Sequence, residues 1–286
     1  MTTMRCFLFV PGDSTRKFES ASKTAADCLI LDLEDSVAPD QKAGARGIVQ
    51  GMLKARNPKQ KIYVRVNALD TGLTLADLAA VVPSKPDGII LPKCEGGADI
   101  DKLSLYLDAF EAASGIEPGF IRILPVATET AMAVLKLNTF AGCSKRLWGL
   151  TWGGEDLQAS LGATRNRTDG KFHSPYLLAR DLCLIGAVAA GVVPIDTIYA
   201  DIDNLEGLRE EAVAARRDGF LGKMVIHPKH IDVVNGAFTP SDEEKEHAQK
   251  IVDAFAANPT AGVVRVEGKM VDKPHLRAAQ KVLGLA

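Results

Sequence analysis

Aromatic residues are scarce in this chain of 286 residues, at 6%, which leaves little surface for stacking nucleic-acid bases. A charge of one sign is missing as well. Against 36 Asp and Glu stand 34 Lys and Arg, for a formal charge of -2, and the basic residues are scattered rather than gathered into a stripe. No nucleic-acid partner is expected. Long hydrophobic runs are also lacking. The longest, "LCLIGAVAAGVVPI", lies between Asp181 and Asp196 and contains Pro194, too short a span for a bilayer and with a helix breaker inside it. The opening "MTTMRCFLFVPGDS" has too brief an apolar stretch for a secretion signal and reads as a first strand. Cysteine is sparse: Cys6, Cys28, Cys94, Cys143 and Cys183 form no CxxC pair. Their odd number fits a reduced, cytoplasmic compartment, in which "NRT" at 166 carries no glycan. Absent too are a GxGxxG after the first strand and a GxxxxGK[ST] anywhere, which weakens a doubly wound nucleotide-binding sheet.

What is present is a repeat of strand and helix. Aliphatic runs recur at 5–10, 28–33, 62–66, 88–92, 121–126, 146–151, 196–200 and 223–227, each followed by turn formers and an amphipathic stretch. They are hydrophobic throughout rather than alternating, as parallel strands covered on both faces must be. Eight such units predict an α/β fold, a (β/α)8 TIM barrel over residues 1–235. The gap after "RLWGLT" is about twice the others and rich in Gly and Arg, so an elaborated loop belongs there. Residues 236–286 are left over. "TPSDEEKEHAQKIVDAFAAN" has a helix-start signature at Ser241 or Asp242, and "GVVRVEGKMVDKPHLRAAQKVLGLA" reads as an extended piece running into a last helix. A closed barrel has no place for this C-terminal helical extension, so it is expected to pack on a neighbouring subunit.

Chemistry in such a barrel collects at the C-terminal ends of the strands. Those ends supply Asp13; Glu34 and Asp35; Arg65 and Asn67; Lys93 and Glu95; Thr128 and Glu129; Glu155 and Asp156; Asp201 and Asp203; and His227. So acidic a ring repels itself unless cations join it, and hard oxygen donors suit Mg2+. Any one of the acids could instead cap a helix, and Glu34 and Asp35 could simply pair with Arg65 or Lys93. A guanidinium in the middle of "YVRVN" must face a carboxylate or a bound anion. "HPKH" offers a His pair, but no further His or Cys joins it to make a zinc site, and His227 reads as structural.

Taken in order, "LFVPGDSTRKFESA", "LILDLEDSVAPDQKAGAR", "YVRVNALDTG", "GIILPKCEGGADI", "ILPVATET", "GLTWGGEDLQASLG", "GKMVIHPKHIDVVNGAFTPSDEE" and "VEGKMVDKPHLRAAQKVLGLA" resemble the HpcH/HpaI aldolase and citrate lyase β-chain superfamily along its whole length. Within it the chain looks most like the CitE-like malyl-CoA, β-methylmalyl-CoA and citramalyl-CoA lyases. The resemblance implies a carbon-carbon lyase that uses Mg2+, or Mn2+ in its place, and splits a carboxylate-bearing 3-hydroxyacyl-CoA into an acyl-CoA and a 2-oxo acid. The family's metal acids fall on Glu129 and Asp156, its arginine on Arg65, and its trans-acting aspartate on Asp272. Coenzyme A enters as part of the substrate, with Arg16, Lys17 and Lys23 as candidate phosphate contacts. Gly154, Glu155 and Asp156, with Gly153, would bring backbone N–H groups to the substrate carboxylate. A homo-oligomer, a trimer or a dimer of trimers, is implied. Citrate lyase β-chains proper are commonly shorter and lack the C-terminal segment, so its presence here favours a stand-alone lyase. The rival expectations are a malyl-CoA-type thioesterase on the same scaffold, a citryl-CoA lyase of the citrate lyase type, an aldolase acting on free 2-oxo acids, and a binding barrel without chemistry.

Overall fold

The computed structural model describes residues 4–285. They fall into two compact units, a barrel unit that ends at Phe238 and a C-terminal unit that begins at Thr239. Among the described residues, no helix is long and apolar enough to cross a membrane.

Eight parallel strands build the barrel: β1 (Cys6–Pro11), β2 (Cys28–Asp32), β3 (Lys61–Arg65), β4 (Gly88–Leu91), β5 (Arg122–Pro125), β6 (Gly149–Thr151), β7 (Val193–Asp196) and β8 (Gly222–Val225). Hydrogen bonding runs from β5 down to β1 and on through β8 and β7 to β6. Parallel bridges Ile123 to Leu147 and Val126 to Thr151 then join β5 to β6. The ring therefore closes in sequence order, and the expected (β/α)8 barrel is what the chain adopts.

Strand residues sort by parity. Phe7, Cys28, Ile30, Tyr63, Ile90, Leu124, Ile195 and Met224 fill the barrel interior as one buried cluster. Their neighbours Leu8, Leu29, Leu31, Ile62, Val64, Ile89 and Ile123 belong to the layer between barrel and helices. Both faces are dry, which is why the strands read as continuous apolar runs.

The outer layer contains α1 (Thr15–Ala21), α2 (Lys42–Lys54), α3 (Thr74–Val81), α4 (Gly97–Ala113), α5 (Ala131–Leu135), α6 (Glu155–Leu161), α7 (Ser174–Ala189), α8 (Leu205–Asp218) and α9 (Ile231–Phe238). The boundary expected after Asn235 falls inside α9. The long connection after β6 holds α6 and a small hairpin, Arg167–Thr168 with Lys171–Phe172, turned at Asp169 and Gly170, both at positive φ.

The seventh strand sits earlier than its expected span of 196–200. The apolar tract from Leu182 hides a helix end, a turn and a strand. α7 stops at Ala189, Gly191 turns the chain at φ 69, and Val193-Pro194-Ile195 enter the sheet. Pro194 lacks an N–H, but its carbonyl still accepts from Leu221 at 3.0 Å, so the strand tolerates it. Asp196 closes the strand, and Thr197 and Ile198 belong to the loop above.

The C-terminal unit contains α10 (Asp242–Ala256), the antiparallel pair β9 (Val263–Val266) and β10 (Lys269–Asp272), and α11 (Lys273–Val282). Ser241 caps α10, exchanging hydrogen bonds with Glu244 in a capping box. Ile251, Phe255, Val264, Val266 and Val271 give this unit a small core of its own.

Candidate active site

At the C-terminal mouth of the barrel lies a cavity of about 380 Å³, lined by Asp32, Asp35, Arg65, Glu129, Glu155 and Asp156 beside an apolar wall. The β2 and β3 register explains its first feature. Asp32 and Arg65 are direct partners across parallel strands, so both side chains point the same way. Asp32 Oδ1 accepts from Arg65 Nε and Oδ2 from Nη2, each at 2.8 Å, a bidentate fork. The amides of Glu34 and Ser36 add two further bonds to the same carboxylate. Burial alone would push the Asp32 carboxyl up, but the Arg65 fork and these amides together hold it below the usual carboxylate range.

Arg65 also reaches Glu34 at 3.0 Å and Asp35 at 3.4 Å through Nη1, and it lies 4.8 Å over the Phe9 ring. Burial works against its charge, and the surrounding carboxylates more than compensate, so it stays protonated. Lys93 is the second cation. It takes a left-handed conformation, φ 51, a strained geometry for a residue with a Cβ and one that clusters at functional sites. That twist aims its N–H at Glu129 Oε2 and its ammonium at Glu34, with Asp156 Oδ1 3.5 Å away. Glu34 is nonetheless raised, chiefly by burial.

Glu129 is 4% exposed. Burial first, then the nearby charges of Asp156 and Glu34, push its carboxyl up to about 8. Gly153 makes room for it, since a Cβ there would stand 2.9 Å from Glu129 Cγ. Asp156, in the first turn of α6, opens to the cavity. These two carboxylates, one deeply buried beside a glycine and one facing open space, fit a hard divalent cation that takes one or two protein ligands and completes its shell with water and substrate. Among the described residues, no group of three or more His, Cys, Asp and Glu side chains forms a ready metal cage.

The Gly-Gly turn is held from behind. Trp152 Nε1 donates to Asp196 Oδ1 at 2.7 Å, and Asp196 Oδ2 accepts from the fully buried Lys223 at 2.6 Å. Lys223 also reaches Glu211, and Glu211 takes Arg167 of the hairpin, each at 2.7 Å. The Arg167 guanidinium lies 3.5 Å over the Phe172 ring, which meets Trp152 edge-on at 4.9 Å between centroids. Burial disfavours the Lys223 charge, but its two carboxylates outweigh that and raise it. Asp196→Ala would leave this buried ammonium with Glu211 alone and the Trp152 N–H without its acceptor, so unfolding in urea is expected to show a loss of about 3 kcal/mol. A loss below about 1 kcal/mol would contradict the network.

Sequence reasoning thus assembles Arg65, Glu129, Gly154, Glu155 and Asp156 at one cavity, as the structure does. The Gly153 N–H, expected for the substrate, is already donated to Thr128 Oγ1 at 3.0 Å. Gly154, Glu155 and Asp156 supply the remaining amides, at the start of α6 where no earlier turn of helix accepts them. Arg16 and Lys17 lie exposed on α1, and Lys23 borders a separate groove of about 470 Å³ with Phe18 and Met52. Asp272 belongs to the C-terminal unit, where it caps α11 and pairs with His275, a hydrogen bond that lowers its carboxyl. His227 accepts from the Lys229 amide at 3.2 Å as a structural cap. Asp32, Trp152, Asp196 and Lys223 were not singled out. For Asp32 the signal was available, because aligning "CLILD" with "KIYVR" places it opposite Arg65.

A closed parallel barrel with a buried acid, an open acid and a fixed arginine gathered at the C-terminal ends of its strands has the form of a TIM-barrel enzyme. The chain belongs to the HpcH/HpaI aldolase/citrate lyase family, whose match spans residues 5–228. It is 36% identical to the citrate lyase subunit beta of Escherichia coli strain K12, over 99% of this chain and 93% of that protein. It is also 36% identical to a (3S)-malyl-CoA thioesterase of Cereibacter sphaeroides, over 99% and 94%. The crystal structure of protein CitE from Mycobacterium tuberculosis in complex with magnesium, acetoacetate and coenzyme A superposes with a TM-score of 0.81 at 32% identity, covering 100% of this chain and 98% of that one. The expected enzyme class, a carbon-carbon lyase, is that of the family and its citrate lyase members. One expectation is corrected. The Escherichia coli β subunit aligns along nearly all of this chain, so length does not set the chain apart from citrate lyase β-chains.

Proposed function

We propose that the protein is a Mg2+-dependent lyase that cleaves a carboxylate-bearing 3-hydroxyacyl-CoA into an acyl-CoA and a 2-oxo acid, or condenses them. The observation that carries this reading is the pair Glu129 and Asp156 facing one cavity with Arg65, in a chain similar to a CitE structure holding magnesium and coenzyme A. Glu129 and Asp156 would hold the ion, which supplies Lewis-acid polarisation of the substrate's oxygens. Amides of Gly154, Glu155 and Asp156 orient the substrate carboxylate. Removal of the hydroxyl proton lets the bond between the α and β carbons break, and its electron pair passes to the thioester as an enolate while the 2-oxo acid forms. Arg65, held rigid by Asp32, places positive charge where that enolate oxygen develops. Its Nη1 edge is the one that serves, keeping Glu34 at 3.0 Å and exchanging its longer contact, the half-exposed Asp35 at 3.4 Å, for the enolate oxygen. Protonation of the enolate carbon completes the acyl-CoA.

Asp272 of a neighbouring copy in a homo-oligomer serves as the acid and base for these transfers, and Arg16, Lys17 and Lys23 meet the CoA phosphates. Treatment with a chelator is expected to abolish 2-oxo acid formation from malyl-CoA, and Mg2+ to restore it. Activity that survives chelation would overturn the assignment. Because a bound cation must displace the Glu129 proton, Mg2+ affinity in calorimetric titrations should rise about tenfold per pH unit up to about pH 8 and level off above it. A flat profile between pH 6 and about 8 would contradict that. The second reading, hydrolysis of the thioester, is favoured by the similarity to a malyl-CoA thioesterase.

A further inference from the structure

Resting on the lyase reading, we infer that the hydroxyl-bearing carbon of the substrate carries hydrogen or methyl and not a carboxymethyl group, so that the 2-oxo acid is a monocarboxylate. The cavity has five acids on its lining, Asp32, Asp35, Glu129, Glu155 and Asp156, and one basic residue, Arg65. Arg65 is committed to Asp32 and Glu34 and, in the lyase reading, to the enolate oxygen that takes the place of Asp35. The nearest other cation, Lys93, is spent on Glu34, Asp35 and Asp156.

One substrate carboxylate is provided for by the α6 amides and the ion. Among the described residues that line the cavity, a second finds no uncommitted cation. Its alternatives are the acids themselves, which repel it, or the rest of the wall, where Phe9, Val126, Trp152, Ile198, Met224 and Ile226 outnumber the two hydroxyls, of Ser36 and Thr197. That wall is built for a hydrocarbon. Val126 stands beside the reacting end, since a Cβ on Gly153 would come 3.1 Å from its Cγ1. A charge pressed against apolar side chains without a partner binds poorly, whereas a methyl group gains by burial. Discrimination is therefore achieved by withholding a cation as much as by adding a contact.

The test compares kcat/KM of the intact enzyme with Mg2+ on citramalyl-CoA, malyl-CoA and citryl-CoA, which differ at that carbon by methyl, hydrogen and carboxymethyl. The expected result is that citryl-CoA falls about tenfold or more below the better of the other two. A citryl-CoA value within tenfold of that substrate, or above it, would overturn the inference and leave the lyase reading standing. No turnover of any of the three would overturn the lyase reading, and the inference with it.

Discussion

Asp156→Ala is expected to lose turnover by about three orders of magnitude or more, at saturating substrate and Mg2+. In the proposed site its carboxylate is one of the two that hold the ion; Glu155 borders the same cavity, but it is Asp156 that approaches Lys93, at 3.5 Å. Stability should hardly move, because Asp156 is 38% exposed and its one recorded ion pair, to Lys93, is 3.5 Å long. A thermal melt shifted by no more than the equivalent of about 0.5 kcal/mol is expected. Activity retained within tenfold would remove Asp156 from the metal site. The same variant tests Asp272. Co-expressed Asp156→Ala and Asp272→Asn chains, each inactive alone, should regain activity at about a quarter of their sites if Asp272 acts across a symmetric interface. No recovery in a mixed oligomer would place the proton transfer elsewhere.

Arg65→Lys keeps the charge and is expected to lower kcat by about 100- to 1,000-fold with little change in KM. Lysine presents a point charge with no fork, so it cannot hold both oxygens of Asp32 at 2.8 Å and still direct a donor into the cavity. Leaving a buried Asp32 oxygen with its backbone amide but no guanidinium should also cost about 1–3 kcal/mol of stability. A rise in KM with kcat preserved would instead make Arg65 a ground-state binding residue.

The barrel was legible because parallel strands buried on both faces leave eight dense apolar runs, separated by turn formers and amphipathic stretches. Position was less legible than existence. In the tract from Leu182 to Ile195 hydrophobicity is nearly unbroken, so Gly191 and Pro194 are what mark where α7 gives way to β7. At the site, Arg65 announced itself as a charge inside a strand. Its main partner did not. Asp32 sits within "LILDLEDSV", where two later acids drew the eye, and only the register between β2 and β3 assigns it. Lys223 was hidden for a related reason. At the head of an apolar strand a lysine looks like an exposed start, and its burial depends on Asp196 and Glu211 arriving from elsewhere in the sequence. The two glycines after Trp152 were read as a close approach to substrate, whereas the structure gives Gly153 a different duty, admitting the Glu129 side chain.

The central claim is that this mouth breaks a carbon-carbon bond. The most direct measurement incubates the enzyme and Mg2+ with malyl-CoA and citramalyl-CoA, following 2-oxo acid and free thiol together. Equal amounts of 2-oxo acid and new acyl-CoA, with no free thiol, are predicted; free thiol without 2-oxo acid would contradict the claim.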